Sequence, residues 1–326
     1  MKIQRAVVAA AVAFAFISSC ALLSARASAL SSSAASATSD AAFLGRWDLT
    51  VKAADKEYPS WLEIEQKDGK LSAQFVGRWG NARPLPKIEI NGTHVTFVSP
   101  KEEESSKEDM VYQGTLTGKT LSGTTNGADG TTWNWVGVRA PALKIASAPQ
   151  WGAPVHLFNG KDLTGWHLDK PGLPSWTVKD GALVSPGTGP ELISDSKFQD
   201  FKLHIEFNCG KDANSGIYLR GRYELQVETE SQGEGPMHHT GAIYGFLAPS
   251  PELPRTPDVW QTYDVTLIGR KITVVQNGTT VQNEQEIPGI TGGALNSHEG
   301  LPGPIYLQGS EKGHVQYRNI VITPAK

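Results

Sequence analysis

The chain has 326 residues, a length that accommodates two ordinary domains, each with its own core. Its 30 basic and 33 acidic residues give a net charge of −3, so the chain lacks the basic field that a phosphate backbone requires, and nucleic acid is excluded as an expected partner. The 34 Gly, 20 Pro and 9 Trp residues favour a turn-rich β protein with little helix.

The first thirty residues have the pattern of an export signal. Lys2 and Arg5 precede an apolar run, and small residues at 27–29 form a cleavage site. This predicts a signal peptide over residues 1–29 and an exported protein, periplasmic or attached to the cell envelope. Cys20 ends the stretch ISSC, which resembles a lipoprotein box, so a lipid anchor at Cys20 is the alternative. The same stretch interrupts the apolar run that a transmembrane anchor would need.

Residues 30–42 are rich in Ser and Ala and are expected to form a flexible linker. Short alternating runs then extend from 43 to 139, separated by hairpin signals at Asp68-Gly69, Asn91-Gly92, Gly118-Lys119 and Asp129-Gly130. This pattern predicts an accessory domain, a small antiparallel β-barrel or sandwich of roughly eight strands. The charged stretch KEEESSKED, residues 101–109, is expected to be a solvated loop.

A second set of short strands follows a linker over residues 140–154 that is rich in Ala and Pro. Residues 155–326 contain WTVKDGALV, FKLHIEFNC and TYDVTLIGRKITVVQNGTTVQ with no helical periodicity, which predicts two stacked antiparallel sheets. Cys20 and Cys209 are the two cysteines of the chain, so no disulfide framework is expected. Cys209 is interpreted as a buried structural thiol.

The stretch YELQVETE, which begins at residue 223, raises a chemical question. Tyr223, Leu225 and Val227 face one way along the strand, and Glu224, Gln226 and Glu228 face the other. This resembles the Glu-x-Asp-x-Glu strand of jelly-roll glycosidases, with an amide in place of the central acid. A retaining glycosidase needs two carboxyl groups about 5 to 5.5 Å apart. The Cα atoms of Glu224 and Glu228 are about 13 Å apart on an extended strand. Paired-acid chemistry is therefore weakened and still open.

Seven motifs between residues 151 and 324 together resemble one known family. They are LFNGKDLTGW, SGIYLRGRYELQV, GAIYG, VWQTYDV, ITVVQNG, GPIYLQG and VQYRNIVI. In this order they resemble the 3-keto-disaccharide hydrolase family. The resemblance implies an exported, concanavalin-like jelly-roll β-sandwich, so the whole chain is expected to be all-β. It also implies action on glycosides whose C3 hydroxyl has been oxidised to a ketone by a partner sugar 3-dehydrogenase.

A 3-keto glycoside needs one base, because the ketone acidifies the C2 proton and the glycosidic oxygen is then a β leaving group. A carboxylate or His removes the C2 proton, donors stabilise the enediolate at O3, and an acid assists the departure of O1. Water can then add, giving net hydrolysis. This chemistry suits an amide beside a single working carboxylate. Glu224 is therefore predicted to transfer the proton and Gln226 to orient hydroxyl groups or the keto oxygen.

The other predicted site residues follow from strand parity and from the resemblance. Arg220 is expected on the cavity side with Tyr218, where it would reach the enediolate oxygen. His239 is a second candidate for proton transfer, and Tyr244 is a candidate acid or sugar-stacking ring. Three further residues, Glu228, Gln308 and Arg318, are expected to bind substrate, with Arg318 bracing the carboxylates or the sheet end.

Metal binding and function both have open alternatives. A divalent cation could polarise the ketone, but no ligand spacing in the sequence predicts one. Three other functions are compatible with the sequence: a non-catalytic carbohydrate-binding sandwich, a conventional jelly-roll glucanase that uses Glu224 and Glu228, and an interaction module of the envelope. The binding sandwich would show no turnover, and the glucanase would cleave unoxidised glucans.

Overall fold

A computed structural model of the chain describes residues 40–54, 56–143, 148–173, 175–187, 189–229, 235–310 and 313–326. Within these ranges the chain is all-β, as predicted, apart from short helical turns. The predicted signal peptide over 1–29, Cys20 and residues 30–39 of the predicted linker lie outside the described residues. No helical segment in the described ranges combines the length and the hydropathy that a membrane crossing demands.

The N-terminal half forms one antiparallel sheet of nine strands. They are β1 (Gly45–Lys52), β2 (Glu57–Lys67), β3 (Lys70–Val76), β4 (Arg83–Pro84), β5 (Lys87–Asn91), β6 (His94–Ser99), β7 (Met110–Thr117), β8 (Thr120–Asn126) and β9 (Thr132–Arg139). The hydrogen-bonded order is β4-β3-β2-β1-β9-β8-β7-β6-β5. Because β4 and β5 are consecutive in the chain yet lie at opposite ends of this order, the sheet curls into a nearly closed barrel.

The acidic stretch after β6 is largely exposed, as its charge predicted, with one buried acid. Residues Lys101–Glu104 form a one-turn helix, α1, and the Glu104 side chain is buried. Glu104 accepts hydrogen bonds from Arg83 and from the Ser99 hydroxyl, the latter at 2.8 Å. A Cβ atom on Gly77 would lie 2.8 Å from its carboxyl carbon, so the glycine makes room for it. A buried carboxylate is stable here because a buried arginine neutralises it and donors surround it.

The C-terminal half forms two stacked antiparallel sheets. The strands are β10 (Val155–His156), β11 (Trp166–Leu168), β12 (Thr177–Lys179), β13 (Ala182–Val184), β14 (Leu192–Phe198), β15 (Phe201–Cys209), β16 (Asn214–Leu219), β17 (Tyr223–Glu228), β18 (Gln261–Ile268), β19 (Lys271–Gln276), β20 (Thr279–Glu286), β21 (Gly303–Leu307) and β22 (Val315–Pro324). The larger sheet has the order β12-β13-β22-β15-β18-β19-β20, with β10 beside β22, and the smaller has the order β11-β14-β21-β16-β17. The chain passes repeatedly between the sheets, which is jelly-roll topology.

Apolar side chains from both sheets fill the space between them. The larger sheet contributes Phe201, Leu203, Ile205 and Phe207 of β15, and the smaller contributes Tyr223, Leu225 and Val227 of β17. Cys209 is buried at the end of β15, as predicted for a structural thiol. Because β17 turns its apolar residues toward this core, its polar residues lie on the opposite face of the smaller sheet.

The barrel and the sandwich share a buried interface. Trp61 of the barrel packs edge-on against Phe246, with ring centres 5.4 Å apart, and belongs to the sandwich core. Arg46 of β1 lies 2.8 Å from Glu286 of β20 at the margin. The two halves are therefore joined by apolar packing and by charge.

A buried charge cluster of the sandwich meets Asp48 of the barrel strand β1. Glu299 is completely buried and accepts hydrogen bonds from Arg270 Nη2 at 2.6 Å and from the Tyr223 hydroxyl at 2.7 Å. Burial raises the pKa of Glu299, but Arg270 outweighs burial and holds this pKa below its ordinary value. Across the interface, burial and the charge of Glu299 raise the pKa of Asp48 to about 9. The surroundings therefore favour the protonated form of Asp48 and the ionised form of Glu299, which faces Arg270.

Candidate functional site

A cavity of about 450 Å³ opens on the face of the smaller sheet that is turned away from the core. This volume falls within the range of roughly 300 to 1,000 Å³ that is usual for small-molecule sites. Its lining is Trp79, Gly80, Glu191, Asn214, Tyr218, Glu224, Gln226, Glu228, His238, His239, Tyr244, Gly292, Gly293, Tyr306 and Gln308. Carboxyl, amide, imidazole and phenol groups predominate, a set suited to a ligand rich in hydroxyl groups.

Strand β17 forms the centre of the cavity. Glu224, Gln226 and Glu228 line it from alternate positions, as the period of two predicted, and each is at most 4% exposed. Residues 241–244 cover the outer edge of β17, where Gln226 N bonds to Ala242 O and Tyr244 N bonds to Glu224 O, both at 3.0 Å. The acidic side chains are therefore held inside the protein, where electrostatic interactions are stronger than in water.

Glu224 is positioned by the neighbouring strand β16. Its partner in the antiparallel register is Tyr218, whose hydroxyl lies 2.8 Å from Glu224 Oε2 and 2.9 Å from the Gly292 carbonyl oxygen. Burial and the nearby Glu224 carboxyl raise the pKa of Tyr218 well above its ordinary value, so this phenol stays a donor. A Cβ atom on Gly216 would lie 2.7 Å from Glu224 Cγ, so the glycine provides the space in which the acid lies.

The other two polar residues of β17 already have protein partners. Glu228 Oε1 lies 3.0 Å from Arg255 Nη1 and accepts a bond from Thr240 N at 3.3 Å. Burial raises the pKa of Glu228, while Arg255 acts in the opposite direction. Gln226 Nε2 donates to Asn214 Oδ1 at 2.9 Å. Glu228 is thus an ion-paired acid, and Gln226 is an amide with a fixed orientation.

Three buried oxygen atoms on the cavity wall accept no hydrogen bond from any residue that the structure describes. They are Gln226 Oε1, Glu228 Oε2 and Gln308 Oε1. Buried polar atoms in folded proteins normally have partners. Because the side chains that carry these acceptors line the cavity, a hydroxyl group bound there is the natural partner for them.

Both histidines of the segment after β17 line the cavity. They lie in and just after a 3-10 helix, Pro236–His238, and not on a strand, so the rule of opposite faces does not apply to them. His239 Nδ1 lies 2.7 Å from Glu252 Oε1, which orients the ring. The His238 ring packs edge-on against Tyr244, with ring centres 4.9 Å apart. His239 and Tyr244 are thus brought to the cavity, as the sequence predicted.

Glu191 is a cavity carboxyl that the sequence did not indicate. It directly precedes β14, and its Oε2 accepts a hydrogen bond from Gly309 N at 2.6 Å. Burial raises the pKa of Glu191 to about 7, so this acid is partly protonated near neutral pH. Its neighbour Tyr306 stacks on Tyr218 with ring centres 4.3 Å apart. A pair of stacked tyrosines therefore connects Glu191 with Glu224 along the cavity.

Two arginines predicted for the site lie elsewhere. Arg220 is completely buried, and its φ of 56° shows that strand geometry has ended before it, so parity with Tyr218 does not hold. Its guanidinium donates to the Gly269 carbonyl oxygen. Arg318 belongs to the larger sheet, where its Nε donates to Glu206 Oε2 at 2.6 Å. The predictions that Arg220 reaches the enediolate and that Arg318 binds substrate are corrected, because neither arginine lines the cavity. Arg318 instead braces Glu206 within the larger sheet.

The cavity brings together the other predicted site residues. These are Glu224, Gln226, Glu228, His239, Tyr244 and Gln308. Asn214, Tyr306 and Trp79 join them without having been predicted. In the described part of the chain, no group of three or more His, Cys, Asp or Glu residues is arranged to hold a metal ion.

Comparison with known proteins identifies the family to which the C-terminal half is similar. The family described as "3-keto-alpha-glucoside-1,2-lyase-like domain" matches residues 153–323, just over half of the chain. A 3-keto-disaccharide hydrolase from Bacteroides thetaiotaomicron is 35% identical over 92 residues, which are 25% of this chain and 30% of that protein. This chain thus spans less than a third of that relative.

Two solved structures are similar to part of the chain. A candidate glycosyl hydrolase from Parabacteroides distasonis is 28% identical, with a TM-score of 0.45, and covers 55% of this chain and 92% of its own. The Bacillus licheniformis β-glucanase is 13% identical, with a TM-score of 0.33, and covers 56% of this chain and 100% of its own. By the match over residues 153–323, the chain belongs to the 3-keto-alpha-glucoside-1,2-lyase-like family.

Proposed function

We propose that this chain cleaves 3-keto glycosides by removing the C2 proton and expelling the glycosidic oxygen. The observation that carries the proposal is the arrangement on β17, where Glu224 bonds to a neutral tyrosine and an amide, Gln226, separates it from the arginine-paired Glu228. An unactivated glycoside requires two cooperating carboxyl groups. A ketone at C3 reduces this requirement to one base. Membership of the family and the name of the Bacteroides relative support the same substrate class.

The reaction proceeds in two bond-breaking steps. Glu224 takes the proton from C2, and the electrons of the C2–H bond form a C2–C3 double bond while negative charge develops on O3. The enediolate then restores the ketone, forms a C1–C2 double bond and breaks the C1–O1 bond, and the departing oxygen takes a proton from an acid. Addition of one water across the C1–C2 double bond, its hydroxyl to C1 and its proton to C2, gives net hydrolysis.

Five further cavity groups have roles in this reaction. Gln226 and Gln308 accept hydrogen bonds from sugar hydroxyls through their side-chain oxygen atoms, which have no hydrogen-bond partner among the described residues. His239 and Tyr244 face the same cavity and donate toward O3 as charge develops there. Glu191, at the far end of the stacked tyrosines, delivers the proton to the departing O1.

The proposed substrate must already be oxidised at C3, so a sugar 3-dehydrogenase acts before this enzyme. Combined with the predicted signal peptide, this leads us to propose that the cleavage takes place outside the cytoplasm, in the periplasm or at the envelope. The products are an unsaturated or hydrated keto sugar and the released alcohol or sugar.

The substrate test compares a glucoside with its 3-keto derivative, each with the same leaving group. The 3-keto compound is expected to release its aglycone and to exchange deuterium from C2 into water, whereas the unoxidised glucoside is stable. Parallel reactions with a chelator test the divalent cation. Cleavage of the unoxidised compound at an equal or higher rate would contradict the proposal and favour the glucanase alternative.

Replacement of Glu191 is expected to change the pH profile. In the wild type, kcat/KM for a 3-keto glycoside with an alkyl leaving group should fall above pH 7, because the acid whose pKa is about 7 loses its proton. Glu191→Gln should remove this limb and lower the rate by about 10²-fold. A nitrophenyl leaving group departs without protonation, so its release should be nearly unaffected. Equal losses on both substrates would show that Glu191 does not act as the acid.

A further inference from the structure

One wall of the cavity comes from the barrel and not from the sandwich. The loop between β3 and β4, residues 77–82, places Trp79 and Gly80 in the cavity lining. The family match begins only at residue 153, so this wall lies outside the matched domain. The barrel therefore reaches the chemical site of the other half of the chain.

Close backbone contacts hold the tip of this loop against the cavity rim. A Cβ atom on Gly292 would lie 2.8 Å from Gly80 N, and one on Gly245 would lie 2.6 Å from Asn81 Cα. Real Cβ atoms do not approach other atoms so closely, so both positions require the absence of a side chain. The loop tip therefore contacts two segments of the sandwich. One directly follows Tyr244, and the other contains Gly292, whose carbonyl oxygen accepts the Tyr218 hydrogen bond.

The two ends of the loop are also fixed. Gly77, at its start, packs on the buried Glu104, and Arg83, just after its end, donates to the same carboxylate. Breaking a buried, hydrogen-bonded ion pair is costly, so the network resists movement of the loop base. The base of the loop that carries Trp79 is therefore held in place by buried contacts.

Trp79 has the exposure and position of a sugar-stacking residue. Its side chain is 50% exposed at the cavity mouth, whereas Glu224 is 4% exposed at the floor. The Arg78 guanidinium lies over one face of the indole, 5.2 Å from a ring centre, which leaves the opposite face for a ligand. A flat aromatic surface packs well on the apolar face of a sugar ring. Since Glu224 is nearly buried and Trp79 is exposed in the same lining, a disaccharide whose oxidised ring contacts Glu224 would place its second ring on the exposed side, where Trp79 lies.

We propose that Trp79 forms a binding subsite for the sugar on the leaving-group side of the scissile bond, so that the barrel is part of the active site and favours disaccharides over small alkyl glycosides. The position of the reacting ring in this proposal rests on the proposed function. The binding of the second ring by stacking on Trp79 is independent of the proposed function.

The test compares Trp79→Ala and Trp79→Phe with a matched control, Trp260→Ala. Trp260 packs under Arg318, 3.9 Å from the guanidinium, and does not line the cavity. Trp79→Ala should raise KM for a 3-keto disaccharide about tenfold and leave KM for methyl 3-keto glucoside within about twofold, because stacking acts only on the second ring. Trp79→Phe should retain most of the affinity, and Trp260→Ala should behave as the wild type.

A calorimetric titration with an unoxidised α-linked glucosyl disaccharide separates this proposal from the proposed function. If the wild type binds the disaccharide and Trp79→Ala does not, while the wild type cleaves no 3-keto glycoside, the subsite is supported and the proposed reaction is overturned. An active wild type whose Trp79→Ala variant is unchanged on both substrates would overturn the subsite alone. Equal losses on the disaccharide and the methyl glycoside would also overturn it. A wild type that neither binds nor cleaves would overturn both.

Discussion

Glu224→Gln should lower kcat/KM for 3-keto glycosides by about 10³-fold, within the range usual for loss of a positioned proton-transfer group. The amide has nearly the same size, fits the space above Gly216 and can still accept the Tyr218 hydrogen bond. It cannot take up the C2 proton. The loss is therefore expected in kcat with little change in KM, and exchange of C2 deuterium into water should disappear with it.

Glu228→Gln is the matched control, because it replaces a second acid on the same face of the same strand. Glu228 is paired with Arg255, so its removal should affect substrate binding and cost far less in kcat. A conventional glycosidase that uses both acids would lose activity equally in the two variants. Equal losses, or more than a tenth of wild-type activity in Glu224→Gln, would remove Glu224 from the role of base.

The face of the sheet on which each β17 side chain lies could be predicted, because side chains alternate between the two faces of a strand even when both faces are buried. Tyr223 and Val227 pack in the apolar core between the sheets, so alternation places Glu224 and Gln226 on the other side. The same reasoning failed for Arg220, because alternation holds only while the backbone remains extended. The sequence RGR contains a glycine beside Arg220, and the turn begins there with positive φ.

The unpredicted site residues come from contacts between distant parts of the chain. Trp79 reaches the cavity only because the barrel docks on the sandwich, and no local pattern encodes that docking. Glu191 precedes a strand at a position where a charged residue is usually solvated. Its chemistry results from burial by segments far along the chain, among them the one carrying Gly309. Glu104 shows the same effect in the barrel, since a buried arginine converts an apparently solvated acid into a packed one.

Arg270→Met should reduce the free energy of unfolding by about 3 to 5 kcal/mol at pH 7, because it leaves the fully buried Glu299 without its counter-charge. Since Arg270 holds the pKa of Glu299 below its ordinary value, the pair stabilises the fold above the unfolded-state pKa of about 4.3, and this contribution is lost as pH falls through the folded-state value. In the variant, Glu299 can become neutral by taking up a proton. The difference from the wild type should therefore shrink as the pH is lowered from 7 toward 4.

Urea unfolding at pH 7 and pH 4.5 measures this effect, and the neighbouring Lys271→Met provides the control. Lys271 forms an exposed pair with Glu284 at 3.4 Å, and removal of such a pair should cost less than about 1 kcal/mol. Both substitutions remove one positive charge from adjacent positions, so their difference isolates the effect of burial on an ion pair. A similar cost for the two variants, or a loss in Arg270→Met that does not depend on pH, would show that burial does not make the Arg270–Glu299 pair more important to the fold than the exposed pair.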